Sequence, residues 1–156
     1  MSVSGSAQVV NAMTVDVEDY FQVSAFESHV QKSQWQTLPR RVEANTHRIL
    51  DMFASSGVRA TFFTLGWVAE RYPGLIHRMV EEGHEIASHG WEHIRVNTQS
   101  PDEFRQDIER TRKLLQDISG EPVWGYRAAS YSIGSAESWA LDQLADAGYR
   151  YSSSIV

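Results

Sequence analysis

Five times along the chain a short apolar or β-branched run gives way to a segment with helical spacing, and this alternation limits the fold more than any other feature. Strands separated by helices become parallel neighbours joined by crossover connections, so an α/β fold with a parallel sheet is expected. Val9 to Val17 (VVNAMTVDV) begins apolar, then alternates, and runs out into Asp16-Val17-Glu18-Asp19. The stretch that follows, through SQWQTLPRR, has no clear period and reads as a long connection. From Arg41 to Ser56, Val42, Ile49, Leu50 and Phe53 recur at helical spacing, with Gly57 placed to end the helix. Val58 to Leu65 is the second strand. Pro73-Gly74 opens a helix with Leu75, Ile76, Met79 and Val80 on one face, closed by Gly83 before the strand His84 to Ser88. Ser100-Pro101-Asp102-Glu103 is a capping box with proline at the first helical position, and Phe104, Ile108, Thr111, Leu115 and Ile118 follow at helical spacing up to Gly120. Val123 to Tyr126 is a short strand leading to Arg127. Ser135 to Gly148 is a last helix with Trp139, Ala140, Leu144 and Ala147 inward, and YRYSSSIV is a fifth strand-like run.

The 156 residues, 42% hydrophobic and 22% charged, suffice for one ordinary core, expected over residues 9–156 after a disordered leader at 1–8. A net charge of -6 with scattered Lys and Arg leaves no basic stripe, so nucleic acid is not an expected partner. Without cysteine, a transition metal would have to be held by nitrogen and oxygen. No stretch approaches a membrane span or a signal peptide, which points to the cytoplasm.

In parallel α/β folds the chemistry gathers at the C-terminal ends of the strands. Three such ends carry reactive groups: the carboxylates after the first strand, His89 and His93 in SHGWEH after the third, and Arg127 after the fourth. Imidazoles four apart lie about one helical turn from each other and can reach one ion, with Gly90 allowing a sharp turn out of the strand. Glu18 or Asp19 would add a carboxylate oxygen, leaving positions open for water and substrate. Asp16, two residues before Glu18, shares its face and is the candidate general base, because a carboxylate beside a divalent cation can take a proton from the water that the ion acidifies. Arg127 would hold that base in a bidentate pair or steady charge on an attacked carbonyl. The plainer alternatives are that Glu18 and Asp19 cap the following segment and that Arg127 is a solvated ion-pair partner. Trp67, Trp91, Trp124 and Trp139 suit a core or groove lining, and Trp91, inside the histidine motif, is placed to stack on a sugar ring.

TVDVEDYF, ATFFTLGWVAERYPGLI, EIASHGWEH and GYRAASYSI, in this order, resemble the polysaccharide deacetylases of the chitooligosaccharide deacetylase (NodB homology) type, most of all the subgroup associated with bacterial exopolysaccharide. The likeness runs from about Asn11 to Ile155. It implies a distorted β/α barrel, a divalent metal, zinc first among the candidates, held by two histidines and a carboxylate, and removal of N- or O-linked acetyl groups from a polysaccharide or oligosaccharide. By resemblance His89 and His93 are metal ligands and Asp16 is the base. The family's usual metal carboxylate directly follows the base, where this chain has Val17, so Glu18 is the first choice and Asp19 the second. Tyr131, in the arginine motif, joins Trp91 as a candidate sugar contact. Ala129 stands where the family carries proline, and the family continues past Val156 with a late histidine acid. The chain is therefore expected to be the N-terminal part of such a domain, with an unpaired C-terminal edge open to another chain. A glycan- or metal-binding fragment without turnover, and a small-molecule amidohydrolase on the same scaffold, are the rival readings.

Overall fold

The structure is a computed structural model, and it describes residues 11–155. Five strands, β1 (Thr14–Val17), β2 (Thr61–Thr64), β3 (Glu85–Ser88), β4 (Gly125–Tyr126) and β5 (Tyr151–Ser152), form one sheet in the order β1-β2-β3-β4-β5. Every pairing is parallel. Each strand thus lies beside its successor in the chain, the winding of a β/α barrel wall, with no switch point of the doubly wound kind.

The connections are α1 (Val42–Ser56), α2 (Gly66–Arg71), α3 (Pro73–Glu81), α4 (Pro101–Ser119) and α5 (Trp139–Asp146). In α4, the Ser100 hydroxyl accepts the Glu103 amide while the Glu103 carboxylate accepts the Ser100 amide. The helix ends at Gly120 in the left-handed region, as α1 does at Gly57. Leu50 and Phe53 from α1, Leu75, Ile76 and Met79 from α3, and Phe104, Ile108 and Leu115 from α4 are buried in one continuous core against Phe62 and Ile86 of the sheet. A few such side chains, each worth about 1.5–3 kcal/mol on burial, supply the main favourable term.

Several expectations change in detail. The first strand is shorter than Val9–Val17; its start lies outside the described residues, and Asn11 to Met13 are not strand. The stretch after β2 holds α2, which was not expected: its first four residues, Gly66 to Ala69, are all buried, so no polar face marks it as a helix. Ser135–Glu137 is a separate 3-10 turn ahead of α5; Ala140 and Leu144 of α5 are buried, while Trp139 and, just past its end, Ala147 are half-buried. Among the described residues no helix is long and apolar enough to cross a membrane.

Candidate metal and acid–base site

A cleft of about 310 Å³ opens at the C-terminal ends of β1, β3 and β4, lined by Asp16, Glu18, His89, His93, Ser130 and Tyr131 among others. The sequence places these residues far apart, and the parallel winding brings them together. Asp16 sits in β1 opposite Phe63 of β2, and Glu18 follows one residue past the strand. The two carboxylates share the cleft because they are two residues apart along an extended chain.

Glu18, His89 and His93 form a group whose ligand atoms all lie within 4.8 Å of one another. Glu18 Oε2 is 3.1 Å from His93 Nε2 and 3.9 Å from His89 Nε2. The His89 ring donates from Nδ1 to the Arg127 carbonyl oxygen at 2.8 Å. A carbonyl can only accept, so the ring proton sits on Nδ1 and the Nε2 lone pair faces Glu18. Glu18 Oε2 and His93 Nδ1 are buried without a hydrogen-bond partner. Buried polar atoms are nearly always paired, so a buried Glu18 oxygen left unmatched beside the Nε2 atoms of two histidines suits a cation. The electrostatics agree: burial, with the Asp16 charge second, pushes the Glu18 carboxyl up to about 7. Burial, then the neighbouring His89, holds His93 down to about 4. His89 is lowered too, chiefly by burial, against the opposing pull of Asp16 and of the bond to Arg127. Neutral imidazoles and a carboxylate destabilised by lack of a counter-charge are what a divalent ion would relieve.

The two histidines are not joined by a helical turn. Residues 89–95 are irregular, Gly90 has φ +75° and His93 has φ +57°. A left-handed histidine costs on the order of 1 kcal/mol and has to be held by its surroundings. Glycine does serve the sharp exit from the strand, but it leads into a loop.

Arg127, buried at the end of β4, donates from Nη1 to Asp16 Oδ1 at 2.6 Å. The contact is single, in place of the expected bidentate pair, because the rest of the guanidinium is engaged elsewhere. Nη2 reaches Ser153 Oγ at 2.9 Å, Nε reaches the Ser153 carbonyl at 3.3 Å, and both terminal nitrogens lie 3.2 Å from Thr14 Oγ1. The Phe63 ring lies beneath it, its centroid 4.0 Å from the guanidinium carbon. Thr14 and Ser153 were not singled out from sequence; Thr14 had the signal, being two residues before Asp16 on the same face.

Asp19 stands apart. Only 1% exposed, its carboxylate accepts the amides of Tyr20, Arg41 and Val42 at 2.8–3.2 Å. It therefore caps the start of α1, the alternative role weighed from the sequence, and has no atom in the Glu18–His89–His93 group. Trp91 also points elsewhere. Its ring lies between the start of α2 and Arg110 of α4, whose guanidinium carbon is 3.3 Å from the ring centroid, and it lines a different cleft. Tyr131 is in the cleft, 45% exposed, on a loop where Ser130 and Tyr131 both have positive φ. Opposite it, Ser24 Oγ lies 2.8 Å from Ser130 Oγ, so the two lips meet. Nothing in the sequence marked Ser24.

Comparison with known proteins places this site in context. The polysaccharide deacetylase family model matches residues 28–152. A peptidoglycan-N-acetylglucosamine deacetylase of Listeria monocytogenes is 40% identical over 75 residues, covering 48% of this chain and 16% of that protein. A chitooligosaccharide deacetylase of Bradyrhizobium is 31% identical over 100 residues, 64% of this chain and 43% of the other. Among solved structures, the peptidoglycan deacetylase PdaC of Bacillus subtilis superposes with a TM-score of 0.62 at 26% identity, over 81% of this chain and 51% of that one. The chain thus spans from about a sixth to about half of these relatives. With a match over most of its length, the chain belongs to the polysaccharide deacetylase family.

Proposed function

We propose that the chain carries the metal and base half of a deacetylase that hydrolyses N- or O-acetyl groups on a polysaccharide or oligosaccharide. The observation that carries this is the adjacency, in one cleft, of the Glu18–His89–His93 group and an Asp16 carboxylate fixed by Arg127. Glu18, His89 and His93 would hold a divalent ion, zinc being favoured by two imidazole nitrogens and one carboxylate oxygen. Bound there, such an ion supplies Lewis acidity and lowers the pKa of water from about 15.7 toward 7.

The chain's own groups do the rest. Asp16 accepts the proton of the attacking water as its oxygen bonds to the acetyl carbon, and Arg127, clamped by Thr14 and Ser153, keeps that carboxylate aimed. The C–N or C–O bond then breaks with its electron pair going to the leaving nitrogen or oxygen, which takes up the proton Asp16 had accepted, giving acetate and a free amine or hydroxyl. Tyr131, exposed on the lip, offers a ring face to the sugar. The Listeria and Bradyrhizobium relatives are named for acetylated amino sugars, which favours an N-acetyl substrate.

Acetate release from N-acetylated and O-acetylated oligosaccharides tests the reading. Release that stops with a chelator and returns with zinc is expected. Ion binding without any acetate release would instead support a glycan- or metal-binding role, and release untouched by chelation would remove the proposed site.

A further inference from the structure

The two histidines are held in different ways. His89 follows β3 directly: its amide donates to Thr64 O at 3.0 Å and its ring to Arg127 O. His93 has no such support, since it sits four residues into an irregular loop with a left-handed backbone. Beyond His93 the loop is held by Gln99, whose Nε2 donates to the Ile94 carbonyl at 3.1 Å, and Lys32 pairs with Glu92 at 3.0 Å; before His93 it is gripped at Gly90 and Trp91. From one side, the amides of Gly66 and Trp67 at the start of α2 donate to the carbonyls of Gly90 and Trp91 at 2.9 and 3.0 Å. From the other, Asp107 of α4 accepts the Trp91 amide on Oδ1 at 2.6 Å. The fit is tight on both sides: a Cβ on Gly66 would lie 2.4 Å from the Trp91 ring, and one on Gly90 would lie 3.1 Å from Asp107 Oδ2. The Thr111 hydroxyl, fully buried one turn along α4, donates to the same Asp107 oxygen at 3.4 Å, and Arg110 covers the Trp91 ring. Asp107 therefore anchors the loop to the best-specified helix of the fold, two residues before His93.

We propose that Asp107 is a positioning residue for His93: by fixing the Trp91 amide against α4 it sets the left-handed turn that points His93 Nε2 at Glu18. It touches neither ligand nor substrate. The inference rests on the proposed metal reading of the Glu18–His89–His93 group. Outer-shell groups that orient a ligand are typically worth about 10- to 100-fold in metal affinity.

Cobalt titration of the metal-free protein, read by affinity and by the visible cobalt absorption bands, tests it on Asp107→Ala, Asp107→Gln and Asp107→Asn. Ala removes the acceptor, Gln displaces it by one methylene, and Asn keeps an oxygen where Oδ1 stands. Affinity at least about 10-fold weaker with altered bands is expected for Ala and Gln, and near wild-type values for Asn. Leu115→Ala, lower on the same helix, controls for a general loss of stability and should lower the melting temperature with unchanged bands. Should Ala fail to fold, Gln and Asn decide. Unchanged affinity and bands in the loss variants, or equal losses in Asn and Gln, would overturn the proposal. Absence of cobalt binding by the wild-type chain would instead sink the metal reading itself.

Discussion

The two ends of the sheet carry the same kinds of side chain and use them in opposite ways. At the N-terminal ends of the strands, Glu85 accepts from the Thr61 hydroxyl at 2.6 Å and the Tyr151 hydroxyl at 2.8 Å. His84 accepts the Ala60 amide on Nδ1 at 3.1 Å, with Nε2 3.8 Å from Glu82. A cleft of about 340 Å³ lies there as well, bordered by His84, Glu85 and Trp124. At the C-terminal ends, Glu18 and His93 keep atoms without partners, and the histidine rings meet edge-on at 5.1 Å between centroids, inclined by 70°. Histidine and glutamate beside a cavity therefore do not define a site. Glu82 Oε2 is itself buried without a partner, so one unused lone pair does not separate the two ends; convergence does, since among the described residues only the C-terminal end gathers three ligand residues within 4.8 Å of one another.

That contrast can be broken or sharpened by substitution. The largest effect is expected from His89→Ala combined with His93→Ala, which should abolish binding of about one divalent ion per chain, measured by metal analysis after dialysis. Retention of the ion would place it elsewhere. Asp16→Asn should keep the ion and lower acetate release by about 10²- to 10⁴-fold, the usual worth of a general base. Turnover at the wild-type rate would show that Asp16 is no base.

A smaller effect concerns pH in the metal-free protein. Glu18 holds its proton up to about 7 in the fold against 4.5 when unfolded, so the folded state binds more protons across that window and Glu18 makes stability fall as pH rises through it. His93 works the other way: unfolded it is protonated below 6.5, folded only below about 4, so its contribution rises with pH between those values. Glu18→Gln should leave the rise alone, gaining on the order of 2–3 kcal/mol over wild type between pH 4.5 and about 7 in urea unfolding with chelator present. Parallel curves would show that Glu18 is not strained in the apoprotein. The smallest effect is expected at the other end, where Glu85→Gln should cost about 1 kcal/mol or less and leave ion content unchanged.

Much of the C-terminal end of this contrast was legible in the sequence, and none of the N-terminal end. Strand-helix alternation, the Ser100–Glu103 capping box and the glycines at 57 and 120 located the elements, and the three strand ends named Asp16, Glu18, His89, His93 and Arg127 together. What escaped depended on tertiary contact. The buried start of α2 lacks the polar face that reveals a helix. Adjacent carboxylates at 18 and 19 look alike until the start of α1 is seen to take the second. Trp91 sits within the histidine motif, yet its ring is turned away because Gly66 leaves room for it under α2. The histidine loop reads as a helical turn by spacing alone, while its real geometry is imposed from α2 and α4.

The most direct measurement is an anomalous difference map from crystals of the chain soaked in zinc. A single strong peak within about 2.0–2.2 Å of His89 Nε2, His93 Nε2 and Glu18 Oε2 is expected. Zinc bound at His84 and Glu82, or at Asp19, with none between the two histidines, would contradict the assignment.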